Sequence, residues 1–294
     1  MTRLQEKLER GEFVVTGEVG PPKGVNLDEA LRAASYLKDR VVAINVTDNQ
    51  SSVMRLGSLG LCARLVQEGY EPIFQITCRD RNRLAIQSDI LSAYVLGIRN
   101  ILALTGDHVA LGDHPGAKPV FDLDSVSLLM TISSLMKGRD LAGEELDGAP
   151  TDLFPGATVT PGADPMEMQL IKMEKKIEAG ARFFQTQAIY DPKTFERFMN
   201  QASKFGVPVL AGIVIIKSPA MARYMNENVP GVIVPDYIIK QLAEVPRKDR
   251  PKKSIELMAE LIKELKPMCQ GIHIMAMGWE RYVPELLDLS LIHI

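Results

Sequence analysis

The chain is poor in the residues from which compact metal or redox centres are built. Three cysteines occur in 294 residues, Cys62, Cys78 and Cys269, and no two form a CxxC pair. That excludes a disulfide framework and a cysteine-rich zinc or iron–sulfur site within this chain, and leaves buried reduced thiols as the expectation. Histidine is equally scarce, with four in all and no cluster; His108 and His114 fall in a glycine- and proline-rich stretch and read as loop surface. The residues at the strand ends hold no carboxylate pair close in sequence and no GxSxG elbow, so metal hydrolysis and serine-type acyl transfer find little support. Neither sign of charge dominates: a net charge of −3 gives no reason to expect a nucleic-acid or anionic-membrane partner. No apolar run approaches the roughly eighteen residues of a membrane span. The opening "MTRLQEKLERGEF" is a polar helix pattern without the apolar stretch of a signal peptide. A soluble, cytoplasmic protein is expected.

What the chain does have is alternation. Short runs rich in β-branched and apolar residues recur eight times: "FVVTGEVG" from Phe13, "VVAINVTD" from Val41, "EPIFQITC" from Glu71, "NILALTGD" from Asn100, "FPGATVTP" from Phe154, "RFFQTQAIY" from Arg182, "VPVLAGIVI" from Val207 and "GIHIMAMG" from Gly271. Amphipathic stretches lie between them at 28–39, 53–68, 83–96, 122–137, 165–179, 193–205, 219–226 and 252–265, with a further short helix expected near 235–243. Asp28 and Asp122 look like acidic helix starts, and Gly69, Gly97, Gly180 and Gly206 stand where C-terminal glycine caps belong. Apolar strands alternating with helices argue for a parallel sheet covered on both faces. Eight units in this length fit a closed (β/α)₈ barrel better than an open doubly wound sheet. The turn "GEVGPPKG" is not a dinucleotide fingerprint, because its two prolines cannot supply backbone donors.

In such a barrel the carboxyl ends of the strands build the active site. The polar residues there are Glu18, Asn45, Thr47, Asp48, Gln75, Thr77, Thr105, Asp107, Thr160, Gln185 and Gln187. Glu18 has an ordinary alternative as a strand-end charge in water. Its neighbours Val15, Val19 and a Gly-Pro-Pro turn instead suggest a rigid, partly apolar mouth, which favours a protonated carboxyl suited to general acid chemistry. Asp107 after Gly106 is either a functional carboxylate or a turn former. Gln187 reads as an inward amide that needs partners. Lys175 and Lys176 alone read as a solvated helix face.

Taken together, these segments resemble the methylenetetrahydrofolate reductase family. "GEVGPP" is similar to its strand-one signature, "INVTDN" to its Val-Thr strand-two end, "QITCRD" to its Leu-Thr-Cys strand three, "ILALTGD" to its Ala-Leu-Arg-Gly-Asp strand four, and "KKIEAGARFFQTQAIYD" to its strand six with Thr-Gln-x-x-x-Asp. The five motifs occur in order, each at a strand terminus. The resemblance implies one flavin-binding (β/α)₈ barrel over residues 1–294, with FAD across the mouth contacted by Thr47, Gln75, Thr105, Gly106, Asp107, Thr160 and Lys176. It implies reduction of 5,10-methylenetetrahydrofolate to 5-methyltetrahydrofolate by hydride from reduced flavin. Glu18 is then the acid that opens the folate's five-membered ring. Asp107 and Gln187 hold the pterin edge, whose planar donor–acceptor pattern suits a carboxylate and a carboxamide. Met225 falls where an aromatic stacks on substrate.

Departures from the family pattern bear on the electron donor. Thr105 stands where an arginine is usual and Gln75 where a histidine is common. Ala188 and Ile189 follow Gln187 in place of aromatics. Relatives from acetogenic anaerobes share this short form and work with a separate electron-donating subunit carrying zinc or iron–sulfur, so such a partner is an expectation here, as is an oligomeric assembly. The alternatives are a flavin-free pterin methyltransferase barrel and a non-catalytic barrel subunit of a redox complex.

Overall fold

The computed structural model describes residues 1–292; the last two residues of the "LSLIHI" tail lie outside them. Eight strands close into one all-parallel barrel in sequence order: β1 (Val14–Val19), β2 (Ala43–Val46), β3 (Pro72–Thr77), β4 (Asn100–Leu104), β5 (Phe154–Val159), β6 (Phe183–Ala188), β7 (Val209–Val214) and β8 (Gly271–Met275), with β8 pairing back onto β1. The expected fold class is the observed one. Period-two alternation sorts each strand's side chains between two cores. Val15, Ile44, Phe74, Ile101, Phe184 and Ile272 face outward into the annulus beneath the helices. Val14, Ala43, Ile73, Leu102, Phe154, Phe183 and Leu210 face inward and fill the amino-terminal end of the barrel.

Helix α1 (Arg3–Glu9) closes that end, because Leu4 and Leu8 lie one helical turn apart and drop into the interior cluster. It is anchored at its start. Glu71 accepts hydrogen bonds from the backbone of Arg3 (2.8 Å) and Leu4 (3.0 Å) and from Asn100 Nδ2 (3.0 Å). Thr2 caps the helix and donates to Asn100 Oδ1 at 2.8 Å. Phe154 and Phe183 stack at 5.2 Å, and Gly156 is needed above them, since a Cβ there would come within 2.3 Å of the Phe183 ring.

The annulus helices are α2 (Asp28–Leu37), α3 (Ser58–Gln67), α4 (Arg83–Val95), α5 (Ser125–Met136), α6 (Met166–Glu178), α7 (Pro192–Ala202), α8 (Pro219–Asn228), α9 (Asp236–Glu244), α10 (Arg250–Leu265) and α11 (Val283–Leu289). Gly69, Gly97, Gly180 and Gly206 all adopt positive φ, as cap glycines do. Two starts differ from the sequence reading. Helix α5 begins at Ser125 because Asp124 forms the capping box with Ser127, whereas Asp122 pairs with Arg83. Helix α3 begins at Ser58, after an irregular loop in which Asn49, Ser51 and Ser52 all have positive φ. No helix among the described residues is long and apolar enough to cross a membrane.

Candidate active site at the carboxyl end of the barrel

Two residues further along the same inward rows, the barrel interior turns polar. Above Val14 come Thr16 and Glu18; above Ala43, Asn45; above Ile73, Gln75; above Phe183, Gln185; above Gly271, His273. Asn45, Thr16, Gln185 and His273 are all buried, and they satisfy one another. Asn45 Nδ2 donates to Gln185 Oε1 at 2.6 Å, and Gln185 Nε2 reaches Asn45 Oδ1 at 3.1 Å and Thr16 Oγ1 at 3.2 Å. Thr16 Oγ1 lies 2.9 Å from His273 Nδ1. Glu18 stands at the top of this layer with its side chain 10% exposed, its Oε2 taking Gln75 Nε2 at 3.3 Å and lying 3.6 Å from His273 Nε2. The carboxyl is thus fixed, almost enclosed and aimed at the mouth. A cleft of about 340 Å³ runs outward from it between the Val19–Pro22 turn and Met277–Gly278.

The other expected residues surround the mouth. Thr47 is 2% exposed and its Oγ1 is buried with no hydrogen-bond partner among the described residues. Asp48 beside it is committed to structure: it accepts from the Thr77 amide and hydroxyl, both at 2.9 Å, and pairs with Arg81 at 2.7 Å. Thr105 and Asp107 are exposed on the turn after β4, and Thr105 Oγ1 accepts from the Ser125 amide at 3.1 Å. Gly106 has φ +92° and packs so closely on Thr77 that a Cβ would come within 3.0 Å of the threonine Cβ. Thr160, half-buried at the end of β5, donates its amide to Gln169 at 3.3 Å.

Lys176 differs from its solvated reading. Its Nζ donates to the Thr158 carbonyl at 2.7 Å, and burial, with repulsion from Lys172, pushes its pKa down to about 8. Lys175 next to it is exposed. The inward-amide argument made for Gln187 belongs to Gln185: Gln187 is exposed at the mouth, within an irregularity in the β6–β7 register, while Gln185 carries the buried hydrogen bonds. Met225 is only 7% exposed, its Sδ 3.9 Å from the Tyr190 hydroxyl, so the available side chain in that part of α8 is Tyr224, which is 62% exposed. The sequence reading missed His273 and Arg79. His273 sits between Ile272 and Ile274, so inward alternation of "GIHIM" was the signal for it.

All three cysteines are buried and unpaired, and burial pushes Cys78 up to about 12 and Cys269 up to about 11. No group of three or more His, Cys, Asp or Glu is placed to hold a metal among the described residues.

A parallel barrel with polar side chains and an enclosed carboxyl at the carboxyl ends of its strands belongs to the (β/α)₈ class, in which those ends and their loops build the site. The family is more definite: the profile of the methylenetetrahydrofolate reductase family matches residues 3–290, and the chain belongs to that family. Methylenetetrahydrofolate reductase 2 of Schizosaccharomyces pombe is 25% identical over 98% of this chain, which spans about half (47%) of that relative. The 5,10-methylenetetrahydrofolate reductase of Pectobacterium carotovorum subsp. carotovorum is 27% identical over 75% of this chain and 72% of its own. Among solved structures, an uncharacterized protein from Clostridium thermocellum that binds two copies of 5-methyl-5,6,7,8-tetrahydrofolic acid shares the fold, with a TM-score of 0.63 and 14% identity over 98% of this chain and 99% of that one.

Proposed function

We propose that the chain is a flavin-dependent 5,10-methylenetetrahydrofolate reductase that forms 5-methyltetrahydrofolate. The observation that carries this reading is Glu18, an enclosed carboxyl held by Gln75 at the mouth of a barrel of this family. The mouth also fits a dinucleotide. The orphaned Thr47 Oγ1 lacks a hydrogen-bond partner that a ligand can supply, and the Lys176 amine is a partly enclosed cation suited to a diphosphate. FAD, when bound against Thr47, Gln75, Thr105, Gly106, Asp107, Thr160 and Lys176, supplies the hydride.

The remaining steps belong to the protein. Glu18 gives a proton to the folate's N10, which opens the five-membered ring and leaves an iminium at N5 to receive hydride. Asp107 and Gln187, both exposed to the mouth, present a carboxylate and a carboxamide to the pterin edge. Buried Ala188 and Ile189 offer no aromatic face to a nicotinamide, which favours delivery of electrons by a separate subunit carrying zinc or iron–sulfur. A soluble cytoplasmic setting accords with this chemistry.

The test is anaerobic stopped-flow reduction of the FAD-loaded protein by NADH, by NADPH and by dithionite, each followed by methylenetetrahydrofolate. Rapid reoxidation of dithionite-reduced flavin by the folate, with slow bleaching by both nicotinamides, is the expected result. Absence of folate-driven reoxidation refutes the reductase assignment and leaves a pterin methyltransferase or a non-catalytic subunit.

A further inference from the structure

The largest fully buried side chain among the described residues is a charged one, Arg79, 1% exposed, and no step above uses it. A buried guanidinium is expensive to desolvate and is weak support for stability. Its contacts show what it does instead. Nε and Nη2 fork onto Asp80 at 2.8 and 2.7 Å, Nη2 also donates to the Asn49 carbonyl at 3.2 Å, and Nη1 reaches the Asp107 carbonyl at 3.4 Å. The two carbonyls belong to different loops. Asn49 ends the turn that begins at Thr47 and has φ +43°; Asp107 ends the turn that begins at Thr105. The Arg79 backbone extends the same linkage, because its carbonyl accepts from Val120 at 2.8 Å and so ties down the far end of the segment after β4. Gly106 packs onto it from above, where a Cβ would be 3.2 Å from the Arg79 Cβ.

We propose that Arg79 is a positioning residue whose guanidinium sets the Thr47–Asn49 and Thr105–Asp107 turns relative to one another, and thereby the way a flavin and a pterin lie against Asp107. The second half of this statement rests on the functional reading above; the coupling of the two turns does not. Planarity is the reason for arginine. One rigid fork serves a carboxylate and two carbonyls at once, and the three donors of a lysine ammonium on a flexible stem cannot reproduce that geometry.

The experiment compares wild type with Arg79→Lys and with Asp80→Asn, which frees the fork while keeping the arginine. In the ligand-free protein, amide hydrogen exchange should quicken about tenfold or more at both 47–49 and 105–107 in Arg79→Lys, and less in Asp80→Asn, with the strands unchanged. Acceleration confined to 78–82, or none, overturns the coupling. In the FAD-loaded enzyme, Arg79→Lys should raise KM for methylenetetrahydrofolate at least tenfold, with kcat changed less than threefold. In an Asp107→Asn background the same substitution should leave KM within twofold of the single Asp107→Asn variant, because neighbours in one linkage are not additive. A KM effect of equal size in both backgrounds refutes action through Asp107. A wild-type protein that binds neither FAD nor 5-methyltetrahydrofolate refutes the reductase reading, and the exchange measurement still decides the coupling.

Discussion

The lower and upper halves of the barrel interior are built by the same strands from opposite chemistry. Below, Val14, Ala43, Ile73, Leu102, Phe154, Phe183 and Leu210 pack against Leu4 and Leu8 as one apolar cluster. One step of two residues higher, Thr16, Asn45, Gln75, Gln185 and His273 form a hydrogen-bonded layer that ends at Glu18. Strand geometry is indifferent to this change, because the rise and alternation are the same in both layers. The difference teaches that the apolar half carries closure of the barrel while the polar half holds a carboxyl in place.

Glu18→Gln breaks the upper half most severely. Loss of a positioned acid removes about 10²–10⁴-fold in turnover of methylenetetrahydrofolate, while FAD binding and the melting temperature hold; single-turnover reoxidation of reduced flavin measures it. Near-normal turnover would remove Glu18 from the mechanism. In the lower half, Phe183→Ala should cost about 3–5 kcal/mol of stability by opening a cavity beside Phe154. Urea unfolding reads that loss, and the site should keep its ligand affinity wherever the protein remains folded.

A subtler contrast lies within the polar layer. Gln185→Leu leaves Asn45 without its buried partner and should cost about 1–3 kcal/mol. Replacing both Asn45 and Gln185 by leucine should recover part of that loss, since fewer polar groups are then stranded. A double variant less stable than the single one would show that the layer contributes more than mutual satisfaction.

The smallest effect concerns Lys176, where the polar half extends outside the barrel. Its pKa lies near 8 in the folded protein against an ordinary 10.5. The unfolded chain therefore binds more protons between these values, and stability should rise as pH increases from about 8 to 10.5. Lys176→Met removes that rise, and comparing the two proteins' unfolding free energies across the window checks the sign. A flat difference assigns the lysine an ordinary solvated environment. Added FAD should shift the wild-type window upward, because a diphosphate beside the amine favours the ammonium.

The fold was legible because hydrophobic alternation and glycine punctuation are local, and "VVAINVTD" or "RFFQTQAIY" carry both within a few residues. The placement of Glu18, Thr47, Thr105 and Asp107 at or just past strand ends was legible for the same reason, since strand ends can be located from the runs. What failed was facing and long-range pairing. Gln185 and Gln187 have the same parity along β6, yet one is buried and the other, next to a register irregularity at the carboxyl end, is exposed. On α8 Met225 is buried while its neighbour Tyr224 is exposed, a difference set by the rotation of a single helix. Arg79 looked like one more charge in "CRDRN"; nothing local says that its guanidinium reaches Asn49 and Asp107, thirty and twenty-eight residues away. Asp122 is also a pairing problem, since its partner Arg83 lies thirty-nine residues back in the chain.

Helix α1 has a consequence for traffic. With Leu4 and Leu8 seated in the interior cluster, the amino end of the barrel is stoppered, and Glu18 stands towards the opposite end. The carboxyl, 10% exposed, meets solvent through the cleft beside the Val19–Pro22 turn. A ligand seated over that opening therefore covers the carboxyl as well.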